Sequence, residues 1–155
     1  MADLPSLFQA IDRAVDTSSS RYGRLLNWQN FADPVWHYGI GLSDEYIFDT
    51  GLGICVFSRR DARPVLGIEE IAFPADITIA RLKQALIVFQ DWRYNLLAWN
   101  CEHLARLIAT NQPRCYQSQP LWWLSGLTPA GDHPNAQQLL TEHLNRVGQS
   151  QLTRP

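Results

Sequence analysis

The sequence predicts an α+β domain, a small antiparallel sheet packed with helices. Three observations predict it. Residues 35–42 alternate large and small side chains at period two, the pattern of a strand with two unlike faces, and residues 46–50 read as its return. Residues 4–15, 79–89 and 101–108 place apolar side chains at helical spacing instead. The order is helix, several short strands, then two helices, which reads as strands and helices segregated along the chain.

Leu4, Leu7, Phe8, Ile11 and Val15 share one face of the first helix, and Pro5 stands in its first turn, where a proline is tolerated. That face is expected to pack onto the domain. Thr17-Ser18-Ser19-Ser20 is a polar break, read as a loop. In the strand from Val35 to Leu42, Trp36, Tyr38, Ile40 and Leu42 form one face and Val35, His37, Gly39 and Gly41 the other. The first face wants a core. The second is nearly bare around His37, and glycine in a strand often marks close approach by a ligand or another backbone. Ser43-Asp44-Glu45 is the expected turn and Tyr46 to Thr50 the return strand. With that turn Gly39 pairs with Asp49 and His37 with Gly51, which makes His37 and Asp49 diagonal neighbours on one face. A one-residue change in the turn would break the alignment.

Ile54 to Ser58 reads as a third strand containing Cys55, and Arg59-Arg60-Asp61-Ala62-Arg63 as a charged, solvated turn. Pro64 to Phe73 adds another strand, with a bend at Pro74. Ile79, Leu82, Ala85, Leu86 and Phe89 mark a strong helix with Asp76 as its N-cap. Leu104, Leu107 and Ile108 mark the next, with Asn100 as N-cap and Pro113 as its stop. Leu121-Trp122-Trp123-Leu124 is apolar but far too short for a bilayer; it covers the core or lines a substrate groove. Asn135 to Arg146 is a modest last helix before a polar tail.

Bulk properties bound the function. A chain of 155 residues with 46% hydrophobic content suits one domain with a real core. A formal charge of −2, without a basic cluster, gives no electrostatic case for nucleic acid or an anionic membrane. The N-terminus lacks the charged and apolar regions of a signal peptide, and no apolar run approaches the ~20 residues of a membrane span. Three cysteines is an odd count, so reduced thiols and a cytoplasmic location are expected.

The candidate chemistry starts at Cys101. Asn100 as N-cap puts Cys101 in the first helical turn, among unpaired backbone N–H groups and at the positive end of the helix dipole. Both favour a thiolate, and the N–H groups could hold an oxyanion formed when Cys101 attacks a carbonyl. A lone cysteine on an apolar helix is also an ordinary small hydrophobe. A base decides between the two, and His37 on its glycine-cleared strand is the candidate, with Asp49 to fix its tautomer and support its cation. Singly, His37 reads as structural and Asp49 as a strand-end or turn carboxylate. His103 competes as base, but residues two apart on a helix do not face each other, so its ring is expected to bond backbone. His37, Asp49, Cys101 and His103 are metal-ligating types at a spacing that matches no familiar zinc pattern. His133 and His143 carry no signal, and Cys55 and Cys115 read as structural.

Two blocks resemble the lecithin:retinol acyltransferase-like family, permuted papain-like cysteine hydrolases and acyltransferases. His37-Tyr38-Gly39-Ile40 with Tyr46-Ile47-Phe48 looks like that family's histidine hairpin. Tyr94-Asn95-Leu96-Leu97 with Asn100-Cys101-Glu102-His103 looks like its nucleophile block, the more specific of the two. The intervening stretch with Glu69-Glu70 and the run from Asn111 to Gln119 are also similar. The resemblance implies a circularly permuted papain-like fold, the histidine strand ahead of the cysteine helix. It divides the chain into an N-terminal helix and linker at 1–33, a catalytic domain at 34–120 and an extension packing on it at 121–155. It implies Cys101 as nucleophile, His37 as base, an acyl-thioester intermediate and no cofactor. The implied partner is a small acyl, lipid or peptide substrate. Animal members often have a second histidine where Asp49 stands, and an aspartate there should hold an imidazolium more strongly. The sequence shows no hydrophobic C-terminal anchor such as several lipid-acting members carry, so a soluble acyl compound, a peptide or isopeptide, or a transiently bound lipid is expected. A non-catalytic lipid- or protein-binding module on the same fold, using Trp36, Tyr38, Trp122 and Trp123, is the alternative.

Overall fold

The computed structural model describes residues 3–29, 36–49, 55–58, 65–67, 72–91, 94–95, 99–116 and 135–152. In chain order the elements are α1 (Leu4–Ala14), β1 (Leu25–Gln29), β2 (Trp36–Gly41), β3 (Tyr46–Asp49), β4 (Cys55–Ser58), β5 (Val65–Gly67), α2 (Ala75–Val88), α3 (Cys101–Thr110) and α4 (Ala136–Leu152). The strands form one antiparallel sheet in the order β4-β3-β2-β1-β5, so β2 is central. The architecture is α+β. The expected Gly51 pairing, the Arg59–Arg63 turn, the Leu121–Leu124 segment and His133 lie outside the described residues.

The hairpin follows from its turn. Leu42 and Ser43 donate backbone N–H groups to the Tyr46 carbonyl, and the Ser43 hydroxyl accepts from the Tyr46 amide at 3.0 Å. Register then runs Gly41 to Ile47, Ile40 to Phe48 and Gly39 to Asp49. Tyr38, Ile40 and Leu42 enter the main core with Leu25, Phe48 and the buried faces of α1, α2 and α3. Leu26, Trp28 and Ile47 form a smaller apolar cluster on the opposite face.

Neighbouring backbone, together with that second cluster, explains the glycines. A Cβ at Gly39 would meet the Phe48 carbonyl oxygen and come within 3.0 Å of Trp28 Cη2. A Cβ at Gly41 would meet the Arg21 carbonyl oxygen, and Gly41 exchanges backbone bonds with Gly23 and Arg24. The face expected to be bare around His37 is instead covered by Trp28.

Trp28 belongs to β1, which lies within residues read from sequence as N-terminal helix and linker. Leu25 faces the main core while Leu26 and Trp28 face the second cluster; Leu26 and Trp28 alternate with Asn27 and Gln29, a run of four residues at the short limit of a strand signal. The N-cap of α2 also differs from expectation. Pro74 occupies it without a side-chain bond, and Asp76 sits inside the first turn, where its carboxylate accepts from the Tyr22 hydroxyl at 2.7 Å. The last helix runs on to Leu152, beyond the expected Arg146.

α3 packs on β2, and α2 packs on both α3 and α4. The buried Arg81 of α2 ties off the far end of α3. Its guanidinium donates to the carbonyls of Ile108 (2.9 Å) and Leu107 (2.8 Å) and to Asn111 Oδ1 (2.7 Å). Asn111 closes the helix in the left-handed conformation, φ 60°. Among the described residues no helix is long and apolar enough to cross a membrane.

Candidate active site

α3 begins where the sequence places its cap. Asn95 and Trp99 pair through two backbone hydrogen bonds of 2.8 and 2.9 Å, and the chain then enters the helix. Asn100 Oδ1 accepts from the amides of Glu102 (3.0 Å) and His103 (3.2 Å). His103 Nδ1 lies 3.3 Å from the Asn100 backbone nitrogen and 3.0 Å from its Oδ1, so either tautomer ties the ring to the cap. The ring also stacks on Trp99 at 6.2 Å. Burial lowers the His103 pKa, against the raising effect of Glu102. His103 is thus a member of the helix cap, bonded to backbone.

Cys101 occupies the first helical position and is 3% exposed. Its sulfur accepts the backbone N–H groups of Tyr38 and Glu102, and the Tyr94 hydroxyl hydrogen-bonds to it. The Tyr38 contact fixes the sulfur against β2, one residue beyond His37. Burial pushes the thiol up to about 11; the Tyr38 amide pulls it down, and the nearby Asp49 carboxylate pushes it up again. The helix start was expected to favour a thiolate, and here desolvation outweighs it. At such a value the thiol, not the thiolate, is the resting form near neutral pH. Burial and the Cys101 charge also push the Tyr94 hydroxyl far above an ordinary tyrosine, so Tyr94 remains a donor.

Asp49 pairs with Gly39 across the hairpin, as the turn predicted. Paired residues share a face and alternate residues along a strand share it too, so Asp49 stands on the His37 face of the sheet. Its charge is felt at the Cys101 sulfur. On the other side of β2, Trp28 is the cross-strand partner of His37 and stacks on its ring, with centroids 5.8 Å apart and planes 19° from parallel.

Beneath the cap lies a polar cluster that sequence reasoning missed. Glu102 has no exposed surface and pairs with Arg106 at 2.9 Å. The Tyr38 hydroxyl bonds to both, and burial pushes its pKa up to about 12. The Cys115 thiol donates to Glu102 Oε2 at 3.2 Å and accepts from Asn100 Nδ2 at 3.1 Å. The Arg106 guanidinium lies over the rings of Tyr38 (5.5 Å) and Tyr116 (4.7 Å). The signal for it was the i, i+4 spacing of Glu102 and Arg106 on an otherwise apolar helix. Among the described residues no group of three or more His, Cys, Asp or Glu could hold a metal ion.

The arrangement can, chemically, deliver a sulfur nucleophile beside a strand that carries an imidazole and a carboxylate on one face. Comparison of the chain with family models, curated proteins and solved structures finds no match.

Proposed function

We propose that the protein is a cysteine-nucleophile hydrolase or acyltransferase acting on an acyl ester or amide, on a circularly permuted papain-like arrangement. One observation carries the reading: the Cys101 sulfur, at a helix start, accepts the amide next to His37, and Asp49 stands on the His37 face. In this reading His37 takes the Cys101 proton as the sulfur attacks the acyl carbonyl. A C–S bond forms, and the backbone N–H of Cys101 holds the oxyanion. His37 then protonates the leaving oxygen or nitrogen as its bond to carbon breaks, leaving a thioester. Water or an acceptor hydroxyl or amine, deprotonated by His37, attacks the thioester and restores the thiol. Asp49 orients His37 throughout. A thiol held near 11 makes this a nucleophile ionised during attack rather than a resting thiolate. A soluble acyl compound, a peptide or isopeptide, or a transiently bound lipid suits the chemistry.

The test uses an activated ester, p-nitrophenyl hexanoate, with intact-mass detection of the acyl-enzyme. The wild type should gain one acyl group, Cys101→Ala none, and His37→Ala should acylate about a hundredfold more slowly or worse. Full acylation or turnover by Cys101→Ala would sink the reading. The 3% exposure of Cys101 favours a second reading, a non-catalytic lipid- or protein-binding module. Slow alkylation by iodoacetamide at all pH values below the free thiol's ~8.5, unaffected by His37→Ala, would select that module.

A further inference from the structure

Trp28 is 1% exposed, it is the cross-strand partner of His37, and its ring lies almost parallel to the imidazole. Gly39 lies against it: a Cβ there would strike the Phe48 carbonyl oxygen and come within 3.0 Å of the indole. A flat aromatic face within about 6 Å of a ring centroid attracts a cation, tryptophan most strongly. An imidazole that must become imidazolium in each cycle is such a group.

We propose that Trp28 is a positioning residue for His37: its indole holds the imidazole in one orientation and stabilises the imidazolium that forms when Cys101 gives up its proton. The inference rests on the proposed role of His37 as base. The groups around His37 define what Trp28 adds. Asp49 on β3 is an anion on the same sheet face, and Cys101 on α3, bonded by Tyr94, is the proton donor. β1 is Leu25-Leu26-Asn27-Trp28-Gln29 and has no charged side chain, so the support from that side is the π face itself. The same indole covers part of the half-buried ring from water, which opposes the charged form. The two effects separate experimentally, because fluorination withdraws electron density from the ring face and leaves its size and burial unchanged.

The decisive experiment is an NMR titration of the His37 ring together with Cys101 alkylation by iodoacetamide from pH 5 to 9. Four proteins are compared: the wild type, the chain carrying 5-fluorotryptophan at position 28 alone, Trp28→Phe and Trp28→Leu. Folding of each is checked by circular dichroism. The His37 pKa should fall in the order wild type, fluorotryptophan, phenylalanine, leucine. Alkylation at pH 6.5 should slow in the same order, by roughly three- to tenfold for Trp28→Leu. If Trp28→Leu fails to fold, the fluorinated protein and Trp28→Phe carry the order alone. A His37 titration identical in all folded proteins would overturn the inference, even if Trp28→Leu were slower, since the indole would then be a filler. His37→Ala separates the two levels. If it alkylates as fast as wild type, the reading of His37 as base falls; if it is slow and the indole series is flat, only the role of Trp28 falls.

Discussion

The two faces of β2 are built on opposite plans. On one, Tyr38, Ile40 and Leu42 sink into the main core, and the polar groups that come with α3 are locked together: Glu102 with Arg106, Tyr38 with both, Cys115 between Glu102 and Asn100. On the other, two glycines clear space that Trp28, Leu26 and Ile47 fill, and His37 lies under the indole. The first face fixes where the start of α3 sits; the second governs how an imidazole is held. A strand's period of two thus lets adjacent residues, His37 and Tyr38, serve different ends. Cys101 is buried with the first face's core, and its sulfur also bonds the strand's backbone at the Tyr38 amide.

Breaking the Tyr38 face should have the largest effect. Glu102→Ala leaves the buried Arg106 without its carboxylate and removes the acceptor of Cys115 and Tyr38. A loss of about 3–5 kcal/mol is expected in urea denaturation. A loss under about 1 kcal/mol would mean that Arg106 is satisfied by the aromatic rings of Tyr38 and Tyr116 alone. Breaking the other face should cost less. Gly39→Ala drives a methyl into the Phe48 carbonyl and the Trp28 ring, for about 1–3 kcal/mol. It should also do what Glu102→Ala does not, which is to change the pH profile of Cys101 alkylation under conditions where both variants are folded. Equal profiles would erase the functional distinction between the faces.

Much of this was legible because it is local. Three turn residues set the hairpin register, so the Gly39–Asp49 pair followed from counting. An asparagine before an amphipathic run gave the α3 cap, and apolar spacing gave the buried positions of α2 from Ile79 to Phe89. What failed depends on distant chain. β1 alternates over only four residues, Leu26 to Gln29, and nothing local says that it pairs with β2, so Trp28 does not read from sequence as the cover over His37. Asp76 reads as a cap until Tyr22, 54 residues away, is found holding its carboxylate. The Cys101 thiol is raised rather than lowered because burial is a property of the packed domain, whereas the helix dipole is a property of the segment.

Asn100→Ala sharpens the first face at a smaller scale. It removes the acceptor for two helix-start amides and one partner of Cys115, with an expected loss of about 0.5–2 kcal/mol in the same denaturation measurement. No loss would mean that water caps α3 equally well. An accompanying rise in Cys101 alkylation would show that the cap also shields the sulfur.

The smallest effect expected is a difference in slope. Burial holds the His103 pKa below its unfolded value of 6.5, so the unfolded chain binds the proton more readily. The stability contributed by neutral His103 is therefore complete above the unfolded value and is lost as pH falls through the folded one. Glutamine at the same position can return the bond to the Asn100 amide, as in an ordinary capping box, but it does not titrate. His103→Gln should match the wild type in Tm at pH 8 and lose less on acidification from pH 7 to 5. Carboxylates that titrate in both proteins cancel in the comparison. Parallel Tm curves would mean that His103 accepts its proton in place, donating from Nδ1 to Asn100 Oδ1, and that this cap tolerates the cation.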